Sequence, residues 1–277
     1  MAALLALLSS MAWGTGDFFG GLLSRRRNSV AVVIAMQVFG LITVVAWSLV
    51  TNAWASGPFI WAGVAAGVSG SAGLMAFYRA LAIGTMGIVA PIAALGVVVP
   101  LLYGLTRGEH PSAIQWVAIT VAVVGVLAAS GPELTGGASP RPLILASLSA
   151  VMFGIALAFM AVGAANAGGS ASMTILSMRT VQVLIGIGIW IRWRGFGGIT
   201  RSDLPMAAIT GVFDVSANLL YAIAAAIGPI TLVAVLGSMP PVATTLLGRT
   251  VLHERLTRLQ YAGVGMAILG AIGISAG

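Results

Sequence analysis

The chain has 277 residues, of which 59% are hydrophobic and only 7% are charged. Soluble domains carry about 25% charged residues. A water-soluble fold of this size could not cover its surface with so few charged residues, so the composition predicts an integral membrane protein. The formal net charge is +7, but the arginines lie mostly between apolar segments. That placement is typical of topology signals and lipid headgroup contacts, and it argues against nucleic-acid binding. Cysteine is absent, which excludes disulfides and thiolate chemistry.

Ten segments are long and apolar enough to cross the hydrocarbon as helices, each of which needs about 20 residues. The predicted spans of the first half are 2–23, 30–50, 58–80, 85–106 and 112–130. Those of the second half are 143–164, 170–191, 203–226, 229–249 and 257–276. The first segment is too long for a signal-peptide core of about 7–15 residues and lacks a basic start, so we expect it to be retained. The segments are continuously apolar, which favours an all-α membrane protein over a β-barrel.

The two halves resemble each other at a nearly constant offset of 140–145 residues. The matching phrases are WG (13–14) with FG (153–154), MQ (36–37) with MR (178–179), AIGTMGIVAPI (82–92) with AIGPITLVAVL (226–236), and EHPSAIQW (109–116) with ERLTRLQY (254–261). We therefore predict a first repeat over 1–130, a linker over 131–142 and a second repeat over 143–277. Because five is odd, the repeats must enter the membrane from opposite sides, which is an architecture of transporters.

Charge predicts the orientation of these spans. Eleven of the thirteen arginines fall on one side of the predicted bilayer, hereafter the arginine-rich side. Arg107 alone falls on the other side, and Arg179 lies within a span. The positive-inside rule then places both termini outside the cytoplasm.

The phrases WGTGDFFGG (13–21), YRALAIGTMGIVAP (78–91), GEHPSAIQW (108–116) and HERLTRLQY (253–261) resemble the EamA-type branch of the drug/metabolite transporter superfamily. The resemblance covers nearly the whole chain as two EamA repeats. It implies a ten-helix inner-membrane transporter with a central cavity, and aromatic amino-acid exporters of that branch are the nearest functional guide. The best-known bacterial relatives are drawn with cytoplasmic termini, which conflicts with the orientation that the arginines predict.

Three ionisable side chains fall well inside the predicted spans: Asp17, Arg179 and Asp214. Each costs about 2.5–3.5 kcal/mol at a helix centre on insertion scales, so we expect them to face the protein interior or a cavity. One interpretation is that they line a substrate path, where they bind ammonium or carboxylate groups or relay protons. The other is an internal ion pair between Arg179 and one of the aspartates that fixes neighbouring helices.

Asp214, Asn218 and Tyr221 form a polar stripe on one face of the eighth span, and such a stripe must face protein or water. Trp13 and Asp17 share a face of the first span. The predicted substrate-binding or translocation residues are Trp13, Asp17, Gln37, Tyr78, Arg179, Gln182, Asp214, Asn218 and Tyr221. The alternative is that these groups serve only helix–helix hydrogen bonding and interfacial aromatic belts.

Prolines fall at or near the middle of two predicted spans: Pro91 and Pro100 in the fourth, and Pro240 and Pro241 in the ninth. Each removes an i→i−4 hydrogen bond and favours a kink. Such a kink is either a gate beside the substrate or a static bend.

The repeated phrases contain the pattern [ST]-x-x-Q, at Ser112–Gln115 and Thr257–Gln260. This spacing predicts a capping box at the start of the fifth and tenth spans. Glu109 and Glu254 then lie in the turn before each cap, where they can meet a neighbouring arginine or a positive helix N-terminus. A gating role is the alternative.

Catalytic, nucleotide-binding and metal-ligating motifs are missing from the sequence, so we predict neither enzyme activity nor a cofactor or metal. The predicted function is a secondary transporter or facilitator of the cell membrane that exports a small metabolite, with an amino acid as the first candidate. Efflux of lipophilic cations through Asp17 or Asp214 is the alternative within transport. A membrane scaffold or an intramembrane lipid enzyme would be a different class. The expected partners are a small-molecule substrate and the lipid bilayer, with no nucleic acid, and the expected state is a monomer or homodimer.

Overall fold

The computed structural model describes residues 1–24, 26–83, 89, 92–129, 140–166, 168–193, 198–252 and 257–276, and every regular element in them is helical. The first half contains α1 (Ala2–Ser24), α2 (Ser29–Val50), α3 (Phe59–Ile83), a 3₁₀ turn η1 (Leu95–Val97), α4 (Val98–Thr106) and α5 (Ala113–Ala129). The second half contains α6 (Pro140–Ala165), α7 (Ala171–Trp193), a 3₁₀ turn η2 (Arg201–Asp203), α8 (Leu204–Ile227), α9 (Ile230–Gly237), α10 (Pro240–Val251) and α11 (Arg258–Ala276).

Eight helical segments of the described chain are long and apolar enough to cross a membrane. Two shorter apolar helices, Ile92–Thr106 and Ala113–Ala129, stand where the fourth and fifth spans are predicted. The all-helical membrane class is therefore confirmed, whereas the count of ten spans stays a prediction. The predicted ninth span is present as the apolar segment Ile230–Val251, in which the helix is interrupted at Ser238 and Met239 between α9 and α10.

The helices of the two repeats are interleaved by a reciprocal exchange of partners. Helix α1, the first of its repeat, packs along α8, the third helix of the other repeat. Its counterpart α6 packs along α3 in the same way, and the pair α2 and α8 is matched by the pair α7 and α3. Each half therefore buries its apolar surface mainly against the other half.

The WG and FG phrases mark equivalent helix crossings. A Cβ on Gly14 would lie 2.6 Å from the carbonyl oxygen of Pro240, at the start of α10. A Cβ on Gly154 would meet the carbonyl of Gly96 and lie 2.6 Å from the Cβ of Val99. Only a residue without a side chain lets the backbones approach this closely. The repeated glycine is therefore a packing requirement.

The last helices of the two repeats, α5 and α11, pack against each other by the same rule. A Cβ on Gly125 would lie 2.9 Å from the Cα of Ala267. A Cβ on Gly270 would lie 2.6 Å from the Cα of Ala122. Both pairs are related by an offset of 145 residues, so the contact is the same on either side of a pseudo-twofold axis.

Both predicted capping boxes are confirmed. The backbone N–H of Gln115 donates to the Ser112 hydroxyl (3.2 Å), and the N–H of Ser112 donates to Gln115 Oε1 (2.8 Å). Thr257 and Gln260 repeat both bonds at 3.2 and 2.9 Å. These bonds satisfy orphan N–H donors at the start of each helix, where water is scarce.

Candidate functional site

Arg179 on α7 is the centre of a polar cluster inside the protein. It is 1% exposed, its Nη1 donates to Gln37 Oε1 on α2, and its Nη2 forms an ion pair with Asp214 Oδ2 on α8. The cluster joins three helices from both repeats. The internal ion pair predicted for Arg179 is thus present, and Asp214 is its partner. Gln37 and Arg179 occupy equivalent positions in the two repeats, so they meet at the pseudo-twofold axis.

Asp17 on α1 is exposed, yet it does not face lipid. The lipid-facing side of α1 carries Leu4, Leu8 and Met11, which are 38–56% exposed. At roughly 100° per residue, Asp17 lies about 150° around the helix from that side. There α1 contacts α8 through Gly16 and α10 through Gly14. The carboxylate of Asp17 therefore faces an interior space between α8 and α10.

Two observations characterise that space. A Cβ on Gly21, one turn after Asp17, would have no atom within 4 Å. No described residue forms an ion pair or hydrogen bond with Asp17, and its charge repels that of Asp214. The interior therefore holds two acidic side chains and one guanidinium, and only one of the two acids is paired. The acidic side chain without a partner can accept hydrogen bonds from a cation or from the ammonium group of a zwitterion.

Aromatic rings occupy equivalent positions in the two repeats. Trp13 and Tyr221 have ring centroids 5.7 Å apart, and Phe153 and Phe77 have centroids 6.1 Å apart. Trp13 corresponds to Phe153, and Tyr221 corresponds to Phe77. The first pair is on the same side of α1 as Asp17, so an apolar surface lies next to the free carboxylate.

The polar stripe of α8 lies in the interior, as its spacing predicts. Asn218 is 5% exposed, and its Nδ2 donates to the backbone carbonyl of Asp214 at 2.5 Å. Tyr221 is completely buried. The side chain of Tyr78 and residue Pro91 lie outside the described residues. The roles of all these residues in substrate binding stay predictions.

Three buried polar atoms of the predicted site residues have no hydrogen-bond partner in the structure: Arg179 Nε, Gln182 Oε1 and the Tyr221 hydroxyl. Gln182 lies beside α3, since a Cβ on Gly70 would be 3.1 Å from its Nε2. Buried polar groups are rarely left unsatisfied. These three are therefore the groups best able to take up hydrogen bonds from a bound molecule or from water.

The prolines of the ninth span stand at the break between α9 and α10, and their role in gating stays a prediction. Pro240 and Pro241 occupy the first turn of α10, where a missing N–H costs nothing. Ser10 of α1 bridges the break: its hydroxyl donates to Leu236 O (2.5 Å) and accepts from Met239 N (3.3 Å). Pro100 likewise stands in the first turn of α4, after η1.

Ser10 is a residue that the sequence analysis missed. The available signal was a hydroxyl pair, Ser9 and Ser10, in an otherwise apolar span, because such groups need protein partners in lipid. Ser9 finds its partner in Ala217 O at 2.8 Å. Both hydroxyls tie α1 to helices of the other repeat.

Glu109 joins the repeats at the side opposite the arginine-rich side. Its Oε1 accepts from the backbone N–H of Ile230 and its Oε2 accepts from that of Thr231, both at 2.7 Å. A carboxylate at this position meets the positive end of α9. The predicted contact with a helix N-terminus is confirmed, and the helix belongs to the other repeat. Glu254 lies outside the described residues.

The described cavities lie away from this cluster. One, of about 440 Å³, is an apolar groove beside α1, α10 and α11. The other, of about 540 Å³, lies between α3 and α6 and includes Arg79 and Arg141. Among the described residues, no group of three or more His, Cys, Asp or Glu side chains could hold a metal ion.

Comparison with known proteins gives one family and one fold. The model of the EamA-like transporter family matches residues 1–131 and 140–276. A crystal structure of a protein aligns with 99% of this chain and 96% of its own chain, with a TM-score of 0.81 and 14% sequence identity. At that identity the likeness concerns the fold alone. No curated protein matches the sequence significantly.

Proposed function

Because the chain belongs to the EamA-like transporter family of the drug/metabolite transporter superfamily, we propose that it is a secondary transporter or facilitator that exports a small metabolite. An amino acid is the first candidate substrate. The family is one of membrane transporters and not of enzymes. In our proposal the protein is a multi-pass protein of the cell membrane with ten spans, and both termini lie outside the cytoplasm.

The observation that carries this proposal is the interior cluster of Arg179, Asp214 and Gln37 beside the unpaired carboxylate of Asp17. Asp17 and Gln37 come from the first repeat, whereas Arg179 and Asp214 come from the second. A site shared between inverted repeats changes its access when one repeat rocks against the other. Alternating access around this cluster is therefore the mechanism we propose.

The chemistry of the cluster fits a zwitterion with an apolar side chain. Asp17 can accept hydrogen bonds from an ammonium group. Arg179 Nε has no hydrogen-bond partner in the structure, so it can donate to a carboxylate. Trp13 and Tyr221 offer an aromatic surface next to Asp17. In this proposal Gln182, Asn218 and the side chain of Tyr78 complete the polar lining.

Flux measurements in sealed proteoliposomes test the proposal. We expect efflux of at least one labelled amino acid, with the highest rates among those with aromatic or aliphatic side chains. Asp17→Asn should lower that flux at least tenfold, because the substrate ammonium loses its charged partner. Asp203→Asn removes the same charge outside the interior and should leave the flux unchanged. Absence of flux for every amino acid tested would count decisively against the proposal.

A second candidate, efflux of lipophilic cations, is favoured by the ion pair itself. Arg179 neutralises Asp214. Of the two interior aspartates, Asp17 is therefore the one that remains available to a cation. An aromatic amino acid and its decarboxylated amine discriminate the two candidates. An amino-acid exporter requires the carboxylate and transports the amine poorly, whereas a cation exporter transports the amine at least as well.

A further inference from the structure

A second polar site lies between the last turn of α3 and the first turn of α6. The cavity of about 540 Å³ there is lined by Arg79, Ile83, Arg141, Ile144 and Leu145. Both arginines are exposed, and neither forms an ion pair with a described residue. Two permanent positive charges therefore converge on a space to which no described side chain brings a negative charge.

The charges of this cavity are those that recognise phosphate. A guanidinium offers a planar fork of N–H donors that matches the oxygens of a phosphate group. Helix α6 begins at Pro140, next to Arg141, and runs for 26 residues. The positive end of that helix therefore adds to the attraction for an anion. Arginine stays charged at every physiological pH, so this attraction does not depend on protonation.

The remaining walls of the cavity are apolar and face outward. Ile83 is 44% exposed and Ile144 is 65% exposed, and both lie near the ends of membrane-spanning helices. A free phosphate ion makes no favourable contact with these apolar side chains. A phospholipid does, because its acyl chain continues from the phosphate into the hydrocarbon. Basic pockets between transmembrane helices are known to bind anionic headgroups.

We propose that this cavity binds an anionic phospholipid, with the phosphate held by Arg79 and Arg141 and one acyl chain against Ile83 and Ile144. Arg79 lies in the first repeat and Arg141 at the start of the second. The bound lipid thus bridges the two repeats on the arginine-rich side of the membrane. This binding stabilises the observed packing of α3 against α6.

Lipid titration of the purified full-length protein in mild detergent tests the proposal. The probes are phosphatidylglycerol, phosphatidylcholine with the same acyl chains, and inorganic phosphate, and the readouts are the thermal unfolding midpoint and bound lipid in native mass spectrometry. Phosphatidylglycerol should raise the midpoint more than phosphatidylcholine, and added salt should weaken this difference. Arg79→Gln with Arg141→Gln should weaken phosphatidylglycerol binding about 30-fold, as two juxtamembrane arginines imply.

The matched control is Arg192→Gln with Arg258→Gln, which removes two exposed arginines of the same side at other places. This variant should retain the preference for phosphatidylglycerol. Equal stabilisation by the two lipids, or an unchanged preference in the Arg79/Arg141 variant, overturns the proposal. Full stabilisation by inorganic phosphate alone overturns the assignment to a lipid. Because both arginines are exposed, the variant is expected to fold, and its midpoint without lipid checks this directly.

Discussion

Arg179 holds a charge in the interior because two oxygen atoms from other helices meet it there. Gln37 Oε1 accepts one of its N–H groups, and Asp214 balances its charge. Desolvating two ions costs several kcal/mol, which their attraction repays only while both partners are present. The pair is therefore a condition for close packing of α2, α7 and α8 around the site.

The first prediction concerns this pair. Arg179→Met should destabilise the protein by about 3–5 kcal/mol, because it leaves Asp214 as an uncompensated interior charge. Asp214→Asn should destabilise the protein by a similar amount, because it leaves Arg179 as an uncompensated interior charge. The double variant should lose much less than the sum of the single variants. Equilibrium unfolding in detergent, read as a double-mutant cycle, measures the coupling. Additive losses would show that the two side chains do not act as a pair.

The sequence predicts which charged residues lie in the interior, but it does not predict which of them form an ion pair. Asp17, Arg179 and Asp214 stand out because lipid cannot hold them. The choice of Asp214 over Asp17 as the partner of Arg179 depends on how α7 and α8 are rotated. The rotation of α8 follows from backbone contacts such as that of Gly211 with Gly40 on α2, which have no signature in the spacing of one sequence.

At the scale of the helical elements, glycines set the distances between the repeats. Gly14→Ala and Gly154→Ala should each destabilise the protein by about 1–3 kcal/mol, since the added methyl meets backbone or Cβ atoms closer than van der Waals contact. Gly188→Ala on α7 is the control: its Cβ would meet no atom within 4 Å. There the better helix propensity of alanine should leave stability unchanged or slightly raised. Thermal unfolding of the three variants tests this prediction. Equal unfolding midpoints in all three would contradict a packing role for Gly14 and Gly154.

The contact of Glu109 with α9 gives a second prediction at this scale. Glu109→Gln should lower stability by about 1–2 kcal/mol, because an amide oxygen replaces a carboxylate that accepts from two N–H groups at a helix start. Hydrogen exchange should quicken at Ile230 and Thr231. Arg107→Gln, an exposed neighbouring charge, should change neither quantity. Unaltered exchange in the Glu109 variant would mean that α9 is capped without the carboxylate.

The break between α9 and α10 shows why element boundaries escape sequence analysis. Two prolines in an apolar run predict a distortion, and a kink and a break look alike in the sequence. The structure has a break because Ser10 satisfies the carbonyl of Leu236 and the N–H of Met239. Ser10, which stabilises the break, lies 229 positions before Met239 in the sequence, in a helix of the other repeat.

For the whole molecule, the prediction concerns orientation. The chain has no cysteine, so single cysteines can be introduced without removing any others. Ser56→Cys lies in the turn between α2 and α3, and Ser202→Cys lies in η2 on the arginine-rich side; both residues are exposed. We expect a membrane-impermeant maleimide to label residue 56 in intact cells and residue 202 only after permeabilisation. The opposite pattern would place both termini in the cytoplasm.

The duplicated architecture was largely predictable, because it leaves matching phrases along the chain. Gly14 and Gly154, and the capping boxes at Ser112 and Thr257, are matched in sequence because the contacts they make are matched in space. The exchange of partners between the repeats was not predictable. Periodicity says that α1 has a polar face, and it does not say that α8 covers that face.

The contact of Gln37 with Arg179 has a consequence for the proposed alternating-access mechanism. In a carrier built from two identical inverted halves, the inward-open and outward-open forms would be related by a twofold rotation and would have equal free energy. Here glutamine stands opposite arginine, and Gly70 stands in the first repeat where Asp214 stands in the second. Exchanging the conformations of the halves cannot reproduce the same ion pair. In the alternating-access mechanism that we propose, the two forms should consequently differ in free energy before any substrate binds, so that one of them is the preferred resting state.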